Sequence, residues 1–558
     1  MTSLTRRAFV WRSALLGGGA IVGTSVLAAC GTQAQPPTSS GGAPAAAPPT
    51  AAPATGTNGA PAAAPTSAAA GQPAAAGASG GTLNVGLGRV LQDLNGFDLD
   101  IASYTNQAAI YDTLLTYDQD GKPVPRLAES WTIAPDGSSA TIKLRQGATF
   151  HDGKPINADA ILANYDKAKD SKFSYQIFSI IPRIKDLTKS DAMTLLMTMQ
   201  GPTPERVVTD ILDSINIMAP DSLDFEALKT RAIGSGPFAV ESYNPNNQLV
   251  LKRYDGFWKK PAPSLGRIVY HLSNDIDAQV AGLQAGTNDI VSFLPPNYTT
   301  RLKDQFDIYQ GPPGTEVYPF RLNPSMAPMD NKLIRQGFQY AINRQGIVDK
   351  VFYGYARPQV LPFGQTGPAY ETEIVKQYPF DLQKAKQMFE AAGNPNWSAV
   401  LFVVQGDTTG LSIAQIVQAD LASIGVNLDV QQISSVESGQ HAFAGDYQMS
   451  YGILGNCGKY PTWVTLNSLM RVQNNPVLKG SAAPILDRWQ KAVETANAAI
   501  TPEAQQSAFQ GLRDVILDES WLVTICDDIT LVAMNKKVKG ISINRDDFVV
   551  LENAQIAG

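Results

Sequence analysis

The residue types that most often perform chemistry are few in this chain and lie far apart. His151, His271 and His441 are the only histidines among its 558 residues, and neither a His-x-x-x-His nor a Cys-x-x-Cys spacing occurs. Such spacings bring zinc ligands together on one helix face or turn. The sequence therefore disfavours a zinc enzyme, and we expect no bound metal.

The glycine-rich segments complete no nucleophile or nucleotide motif. Residues 234–237 (GSGP) are too short for a Gly-x-Ser-x-Gly elbow and precede a predicted strand rather than a helix. Residues 86–88 (GLG) lack the third glycine of a dinucleotide loop, and no Walker A sequence is present. We expect no catalytic residues and no cofactor, so any ATP hydrolysis would belong to a separate chain.

Two adjacent carboxylates, Asp527 and Asp528, follow an apolar run at residues 521–526. Neighbouring side chains of a strand point to opposite faces, so these two groups are not placed to act as a paired general acid and base. One of them could contact a ligand instead. The alternative is that one aspartate is solvated and the other is structural.

Cysteine is sparse. Cys30 lies at the end of the N-terminal targeting segment, which leaves Cys457 and Cys526 for the folded body. The two could form a disulfide if their Cα atoms were close enough. Because unpaired cysteines are among the most buried residues, we expect two free buried thiols.

The first 29 residues have the order of an export signal. Arg6 and Arg7 precede an uncharged run, residues 13–29, which ends in small residues before Cys30. This order is typical of a cleaved signal peptide, and the run is Gly-rich and marginally short for a spanning helix.

Two short motifs refine this interpretation. Residues 5–10 (TRRAFV) resemble the twin-arginine export motif, and residues 27–30 (LAAC) resemble a bacterial lipobox. The lipobox implies that Cys30 becomes the lipidated first residue of the mature protein. The alternative is an ordinary signal peptide followed by an incidental cysteine.

The segment after Cys30 differs from the rest of the chain in composition. Residues 31–80 contain no charged, aromatic or large aliphatic residue. Such a segment cannot bury enough apolar surface to offset the entropy lost on ordering. We predict that residues 30–80 form a disordered tether with a reach of roughly 40 Å, which would hold the folded body near a membrane.

The remaining chain has the composition of a globular protein. Hydrophobic residues make up 44% of the sequence and the net charge is −6, without a basic stripe. The length allows two or three domains, and nucleic-acid binding has no support.

The second half alternates helix and strand patterns. Residues 399–404 predict a strand, residues 411–424 a helix that stops at Gly425, and residues 426–430 another strand. Short links between such elements indicate an α/β domain. Other predicted elements are a strand at 82–87, a helix at 108–115, a hairpin of 238–243 with 248–253, and helices capped by Asn157 and Asp381.

Seven blocks, in order, resemble the family 5 extracellular solute-binding proteins, the group that contains oligopeptide-, dipeptide- and nickel-binding receptors of bacterial ABC importers. The blocks lie at residues 111–115, 125–131, 144–155, 234–238, 283–290, 334–344 and 385–393. Each block alone is weak, but seven in the family's order argue against coincidence. The resemblance covers residues 81–558.

This resemblance implies an α/β fold of two lobes that close over a ligand cleft, with a small extra domain in the first lobe. It also implies a monomeric receptor that takes a small molecule or peptide to the permease and ATPase subunits of an importer, at the periplasmic or extracellular face of a membrane. The expected ranges are 81–113, 233–315 and 525–558 for the first lobe, 114–232 for the small subdomain and 316–524 for the second lobe.

The sequence departs from the peptide-binding pattern of that family. Where those receptors have an Asp that binds the peptide amine, alignment on Pro461 puts Cys457, and a neutral thiol does not neutralise an ammonium group. Near the C-terminus, Asp528 aligns with a cleft-lining Tyr. Our hypothesis is that Asp528, or Asp527 if the register shifts, supplies the missing charge.

The resemblance places further residues at the cleft. The flat faces of tyrosine and tryptophan suit sugar rings or side chains, with core packing as the alternative. The complete predicted ligand-binding set is Ser103, Tyr104, Thr105, Asn456, Cys457, Tyr460, Trp463 and Asp528.

Four hypotheses stay open at this point. Peptide is the family default, and an oligosaccharide or a cationic small molecule is the alternative within the same receptor class. A secreted enzyme is a hypothesis of a different class, and the missing catalytic motifs count against it. A surface adhesion or chaperone protein is the fourth hypothesis.

Overall fold

The computed structural model describes residues 80–557, except 89, 92, 98–100, 119, 174–176, 178, 179, 313 and 547, and the side chains of residues 101–105. The predicted signal sequence, Cys30 and the predicted tether up to residue 79 lie outside the described residues. The statements below concern the described part.

Helices and short strands alternate along the chain. The strands are β1 (Thr82–Leu87), β2 (Leu115–Tyr117), β3 (Pro123–Pro125), β4 (Ala128–Ile133), β5 (Ser139–Leu144), β6 (Ile184–Asp191), β7 (Thr194–Met199), β8 (Phe238–Asn244), β9 (Gln248–Arg253), β10 (Arg267–Leu272), β11 (Ile290–Ser292), β12 (Asp307–Gln310), β13 (Val317–Leu322), β14 (Ser398–Val404), β15 (Asn427–Ile433), β16 (Met449–Tyr451), β17 (Leu522–Asp527), β18 (Leu531–Met534), β19 (Val538–Lys539), β20 (Ser542–Ile543), β21 (Val549–Val550) and β22 (Gln555–Ile556). The α-helices are α1 (Ile101–Ile110), α2 (Ala158–Lys167), α3 (Glu205–Ser214), α4 (Phe225–Leu228), α5 (Ile276–Ala285), α6 (Thr299–Leu302), α7 (Lys332–Tyr340), α8 (Arg344–Val351), α9 (Leu382–Ala391), α10 (Thr408–Ala422), α11 (Ser435–Ala444), α12 (Ala483–Asn497) and α13 (Pro502–Glu519).

The three largest sheets organise most of these elements, and three two-stranded sheets hold the remaining strands. A seven-stranded sheet has the order β12-β18-β11-β1-β10-β9-β8, and β1 is parallel to both of its neighbours. A five-stranded sheet has the order β15-β14-β16-β13-β17, and a four-stranded antiparallel sheet has the order β4-β5-β7-β6. The boundaries between lobes given above stay a prediction.

Two chain segments run side by side between the seven-stranded and five-stranded sheets. Residues 311–316 connect β12 to β13, and residues 528–530 connect β17 to β18. Gly311 N donates to Thr530 O at 2.9 Å, and Asp528 N donates to Glu316 O at 2.9 Å. These paired crossing segments therefore form a hydrogen-bonded link between the two sheets.

The block at residues 234–238 owes its glycines to close packing. Gly236 N donates to Ile110 O at 2.9 Å, and a Cβ added at Gly234 would lie 2.0 Å from Ile110 O. The His151 ring closes the same contact, because Gly234 N donates to Nδ1 at 3.1 Å and Nε2 lies 3.0 Å from Gly236 O. Burial lowers the pKa of His151 to about 4, so the ring is neutral and structural.

Most of the local predictions are confirmed. β1 occupies the predicted residues, β8 and β9 form the predicted hairpin, and Asn157 and Asp381 cap α2 and α9. The helix predicted at 108–115 is wrong, because α1 ends at Ile110 and β2 begins at Leu115. The carbonyl that would continue the helix, Ile110 O, accepts from Gly236 N instead.

Candidate functional site

Two adjoining cavities form the candidate ligand site. The larger cavity has a volume of about 550 Å³, and a smaller one of about 40 Å³ shares Asp213, Asn216 and Phe548 with it. Small-molecule sites typically measure about 300–1,000 Å³, so the larger cavity has room for a small solute. The lining comes from α1, β2, α3, the crossing segment at residues 311–316, the loop after β16 and the C-terminal segment after β19.

A stripe of charged residues on α3 includes Asp213, which lines both cavities. Arg206, Asp210 and Asp213 have the helical spacing that puts them on one face. Asp210 Oδ1 accepts from Arg206 Nε and from Arg545 Nη2, each at 3.0 Å, and Arg545 Nη2 also lies 3.0 Å from Asp213 Oδ2. Lys459 Nζ completes this charged wall at 3.5 Å from Asp213 Oδ2.

Asp210 is the central acceptor of the charged wall. Its side chain has no exposed surface, and it also accepts from the Tyr117 hydroxyl at 2.9 Å and from Tyr460 N at 2.8 Å. Burial alone would raise the pKa of Asp210, but Arg545 and Arg206 bring it below 3.8, so the group is charged at neutral pH. The bond to Tyr460 N ties the loop after β16 to α3.

Asp213 shares its surroundings with a second carboxylate, Asp546. Burial and then the charge of Asp546 raise the pKa of Asp213 to about 7. Burial opposes ionisation of Asp546 too, but Lys459 and Arg545 lower the pKa of that group below 3.8. The two carboxylates therefore differ: Asp546 is the one that holds the negative charge more readily, and Asp213 is the one that is protonated more readily.

A second ion cluster borders the larger cavity and is paired internally. Arg126 Nε lies 2.7 Å from Asp112 Oδ1, and Arg126 Nη1 lies 2.8 Å from Glu552 Oε2. Trp258 Nε1 donates to Asp112 Oδ2 at 2.8 Å, and Lys259 forms a close ion pair with Glu552. These contacts join the residues that follow α1 and β3 to the segment after β9 and to the C-terminal segment.

Glu316 is a cavity carboxylate that the sequence did not single out. It lies in the crossing segment and lines the smaller cavity with Asn456 and Lys459. A Cβ added at Gly455 would lie 3.4 Å from Glu316 Oε1, and Glu316 is the charge that, after burial, raises the pKa of the Cys457 thiol. No motif marks this glutamate, because its position depends on the pairing of the two crossing segments.

Of the predicted loop residues, Asn456 lines the smaller cavity and has a left-handed φ of 66°. The Cys457 thiol is buried, and its Sγ lies 3.1 Å from Leu454 O. Cys457 N donates to Thr315 O at 2.9 Å, which holds this loop against the crossing segment. Cys457 and Cys526 are both free and buried, as we expected.

Tyr460 and Trp463 pack in the core and do not line either cavity. Both are fully buried, and the Tyr460 hydroxyl donates to Ala496 O at 2.6 Å and its ring contacts Phe509. Their contribution is to anchor the loop that carries Asn456 and Lys459.

Asp527 is the last residue of β17 and Asp528 the first of the crossing segment, and neither lines a cavity. Asp527 is fully buried, its Oδ1 accepts from Arg357 N at 2.5 Å, and burial raises its pKa to about 7. Asp528 is partly buried, and its Oδ1 accepts from Ile529 N at 2.8 Å. The ligand role of Asp528 stays a prediction.

The predicted residues of α1 are described only in their backbone. Ser103, Tyr104 and Thr105 lie in the first half of this helix, and their side chains are outside the described residues. Ala108, one turn further on, lines the larger cavity.

The described part of the chain contains no group of three or more His, Cys, Asp or Glu side chains arranged to hold a metal ion. Across the same residues, no helix has both the length and the apolar character needed to cross a bilayer.

The sequence of the chain is similar to those of known solute-binding proteins. A model of the family described as bacterial extracellular solute-binding proteins, family 5 (middle part), matches residues 122–469. The glutathione-binding protein GsiB of Escherichia coli K12 is 25% identical over 493 residues, which cover 85% of this chain and 94% of GsiB.

Solved structures share the fold. The periplasmic binding protein DppA of Helicobacter pylori, in complex with the peptide STSA, has a TM-score of 0.72 at 21% identity and covers 86% of this chain and 98% of its own. AgaA of A. tumefaciens R10, in complex with agropinic acid, also has a TM-score of 0.72, at 22% identity, and covers 86% and 99%. The predicted two-lobed α/β fold is confirmed.

Proposed function

The chain belongs to the bacterial extracellular solute-binding proteins of family 5, and from this premise we propose that its cavities bind a short zwitterionic peptide. The chain is the solute-binding component of an ABC transporter. We propose that it delivers the peptide to permease and ATPase subunits and that it binds without converting its cargo. Glutathione and the peptide STSA, bound by GsiB and DppA, both carry ammonium and carboxylate groups.

The observation that carries this proposal is the position of Glu316. Its carboxylate borders the smaller cavity beside the loop where peptide receptors would have an aspartate and this chain has Cys457. A carboxylate there supplies a counter-charge for a peptide amine that a neutral thiol does not supply. Lys459 and Arg545, which line the same pair of cavities, supply the opposite sign.

We expect the purified protein to bind free-acid tripeptides with a favourable enthalpy that calorimetry detects. The probes are an equimolar mixture of tripeptides, the same mixture N-acetylated, and reduced glutathione. Acetylation removes the ammonium group, so the acetylated mixture should bind at least about tenfold more weakly. Closure of the lobes should contract the protein in small-angle scattering.

If the protein binds neither the free tripeptides nor glutathione, the peptide proposal is overturned. Binding of amines without a carboxylate, such as spermidine, would support the cationic-solute alternative, and binding of maltotriose would support the saccharide alternative. A peptide product released during incubation, detected by mass spectrometry, would contradict binding without turnover.

We also propose that Cys30 carries a lipid and that the protein acts as a monomer outside the cell membrane. The support is the LAAC sequence at residues 27–30 and the uncharged segment that follows it. Cys30→Ser should remove the acyl mass from the mature protein and move it from the membrane fraction to the soluble fraction. An unchanged mass and an unchanged fraction would contradict the anchor.

A further inference from the structure

Pairs of adjacent basic residues collect at one end of the seven-stranded sheet. Between residues 80 and 557 the sequence has such doublets at only three places. They are residues 252–253 (KR), 259–260 (KK) and 536–537 (KK). The doublets are far apart in the sequence, so their meeting depends on the fold.

The doublet at residues 252–253 lies close to the point where the described chain begins. Thr82, the first residue of β1, pairs with Arg267, the first residue of β10. Arg267 in turn pairs with Lys252 of β9. Because neighbouring strands are about 4.8 Å apart, the exposed residue Lys252 lies roughly 10 Å from the start of β1.

The doublet at residues 536–537 lies on the other side of that point. It follows β18, and Lys537 O accepts from Ala557 N at 2.8 Å. The next strand, β19, pairs with β22, and Ile556 Cδ1 of β22 would lie 3.8 Å from a Cβ added at Gly81. This doublet is therefore one strand pair away from the beginning of β1.

The doublet at residues 259–260 precedes a segment that packs on the first described residue. A Cβ added at Gly80 would lie 2.3 Å from Ser264 O, so the two backbones are in direct contact. Ser264 Oγ donates to Ala554 O at 2.8 Å, which ties the segment to the C-terminal residues. Lys260 is exposed and lies four positions before Ser264. All three doublets are thus near the start of the described chain.

Most carboxylates at this end of the sheet already have a cationic partner. The ion pairs are Glu241 with Arg267, Asp255 with Arg253, Asp307 with Lys539, and Glu552 with Arg126 and Lys259. Of the other carboxylates, Asp289 accepts from Asn84, and Asp304 is exposed and follows Lys303 in the sequence. Little negative charge is therefore left to neutralise further cations.

The exposed lysines of the doublets form no ion pair with a carboxylate among the described residues. They are Lys252, Lys260, Lys536 and Lys537. Lys260 Nζ and Lys536 Nζ donate to backbone carbonyls, Asp255 O and Asp304 O, each at 3.2 Å. The whole chain has a net charge of −6, so the positive charge of this end contrasts with the rest of the protein.

We infer that these four lysines, the basic end of the sheet, bind the anionic headgroups of a lipid bilayer. The chain that precedes Gly80 leads to Cys30, the proposed lipidation site, so a membrane is the surface closest to this end. A tether with a reach of roughly 40 Å gives the headgroups a high effective concentration, and a weak attraction then suffices. The inference goes beyond peptide binding and does not depend on it.

A bilayer suits the basic end better than a small anion does. None of the four lysines lines either cavity of the ligand site, and they lie around the start of the chain without converging on one point. Cations spread in this way match a sheet of headgroups. Each lysine held near an anionic surface contributes about a fivefold change in binding.

The test measures binding of the mature chain to sucrose-loaded vesicles by co-sedimentation. The chain is produced without residues 1–29 and with Cys30→Ser, so that no lipid contributes. The vesicles contain phosphatidylcholine alone or equal parts of phosphatidylcholine and phosphatidylglycerol. At about 20 mM salt we expect at least about 20-fold tighter binding to the anionic vesicles. This binding should vanish at about 0.5 M salt, where the Debye length is only about 4 Å.

The double variant Lys536→Gln/Lys537→Gln should weaken binding to the anionic vesicles about 20-fold, because two lysines are removed. The matched control is Lys384→Gln/Lys386→Gln on α9. These two lysines are also exposed, and the change in net charge is the same, but they lie in a helix far from the seven-stranded sheet in the chain. We expect the control to change binding less than about threefold. Thermal melting shows whether each variant is folded.

Three results would overturn the inference while peptide binding stands. Equal binding to both kinds of vesicle, or none to either, would exclude anionic headgroups as the partner and leave an acidic protein surface as the candidate. Equal losses in the two double variants would show that net charge acts, and not the basic end. Full binding by Lys536→Gln/Lys537→Gln would remove these lysines from the contact. Selective loss in this variant alone supports the inference, whether or not Cys30 carries a lipid.

Discussion

Replacing Glu316 with glutamine should weaken the binding of free-acid tripeptides by about 30-fold or more. Glutamine keeps the shape of the side chain and removes its charge, so the ammonium group of the solute would lose its counter-ion in a partly desolvated cavity. Removing one partner of such a charge pair costs about 2–5 kcal/mol, and about 1.4 kcal/mol corresponds to a tenfold change in affinity.

The control variant is Asp528→Asn, which removes the other carboxylate considered for this role. Asp528 lies in the neighbouring crossing segment and accepts from Ile529 N, so we expect its change to alter affinity less than about threefold. N-acetylated tripeptides should bind Glu316→Gln and wild type alike. If Asp528→Asn gives the large loss and Glu316→Gln gives none, the amine site belongs to Asp528.

Replacing Asp210 with asparagine should lower the free energy of unfolding by about 3–5 kcal/mol. Asp210 is fully buried and accepts from Arg206, Arg545, Tyr117 and the backbone of Tyr460. Asparagine leaves two arginines beside an uncharged group, and breaking a buried ion network from one side is costly. Urea unfolding followed by fluorescence and circular dichroism measures the change.

The control for this prediction is Asp166→Asn. Asp166 is exposed and pairs with Lys169 one turn away, so its loss should cost less than about 0.5 kcal/mol. The pKa of Asp210 is lowered in the folded protein, so its stabilisation is present above pH 3.8 and is lost as the pH falls through the folded-state pKa. The difference between wild type and Asp210→Asn should therefore shrink in acid, and a difference that is absent at pH 7 would contradict the role of the network.

Local structure was largely predictable from the sequence. The cap residues Asn157 and Asp381 and the alternation in β8 and β9 act through neighbours within a few positions. The end of α1 was not predictable. Gly236, over 120 positions away, donates its N–H to Ile110 O, the carbonyl that would have continued the helix. Tertiary contacts decided that boundary.

The site was less predictable for the same reason. Arg545 reaches Asp210 across 335 positions, and no spacing in the sequence reports such a meeting. Tyr460 and Trp463 have residue types that suit either a ligand or a core, and only the packing against α12 and α13 decides between them. The loop position around Asn456 was anticipated through the family resemblance, whereas Glu316 carries no signal in its own neighbourhood.

The hydrogen bond from Tyr460 N to Asp210 joins the loop after β16 to α3, and it involves no ligand atom. We therefore expect that an unloaded receptor also populates the closed form and then competes with loaded receptors for the same transporters. Uptake would then depend on the ratio of receptors to transporters as well as on nutrient supply. A cell that overproduces this protein would capture more solute when the solute is scarce. Its maximal rate of import would be lower when the solute is abundant.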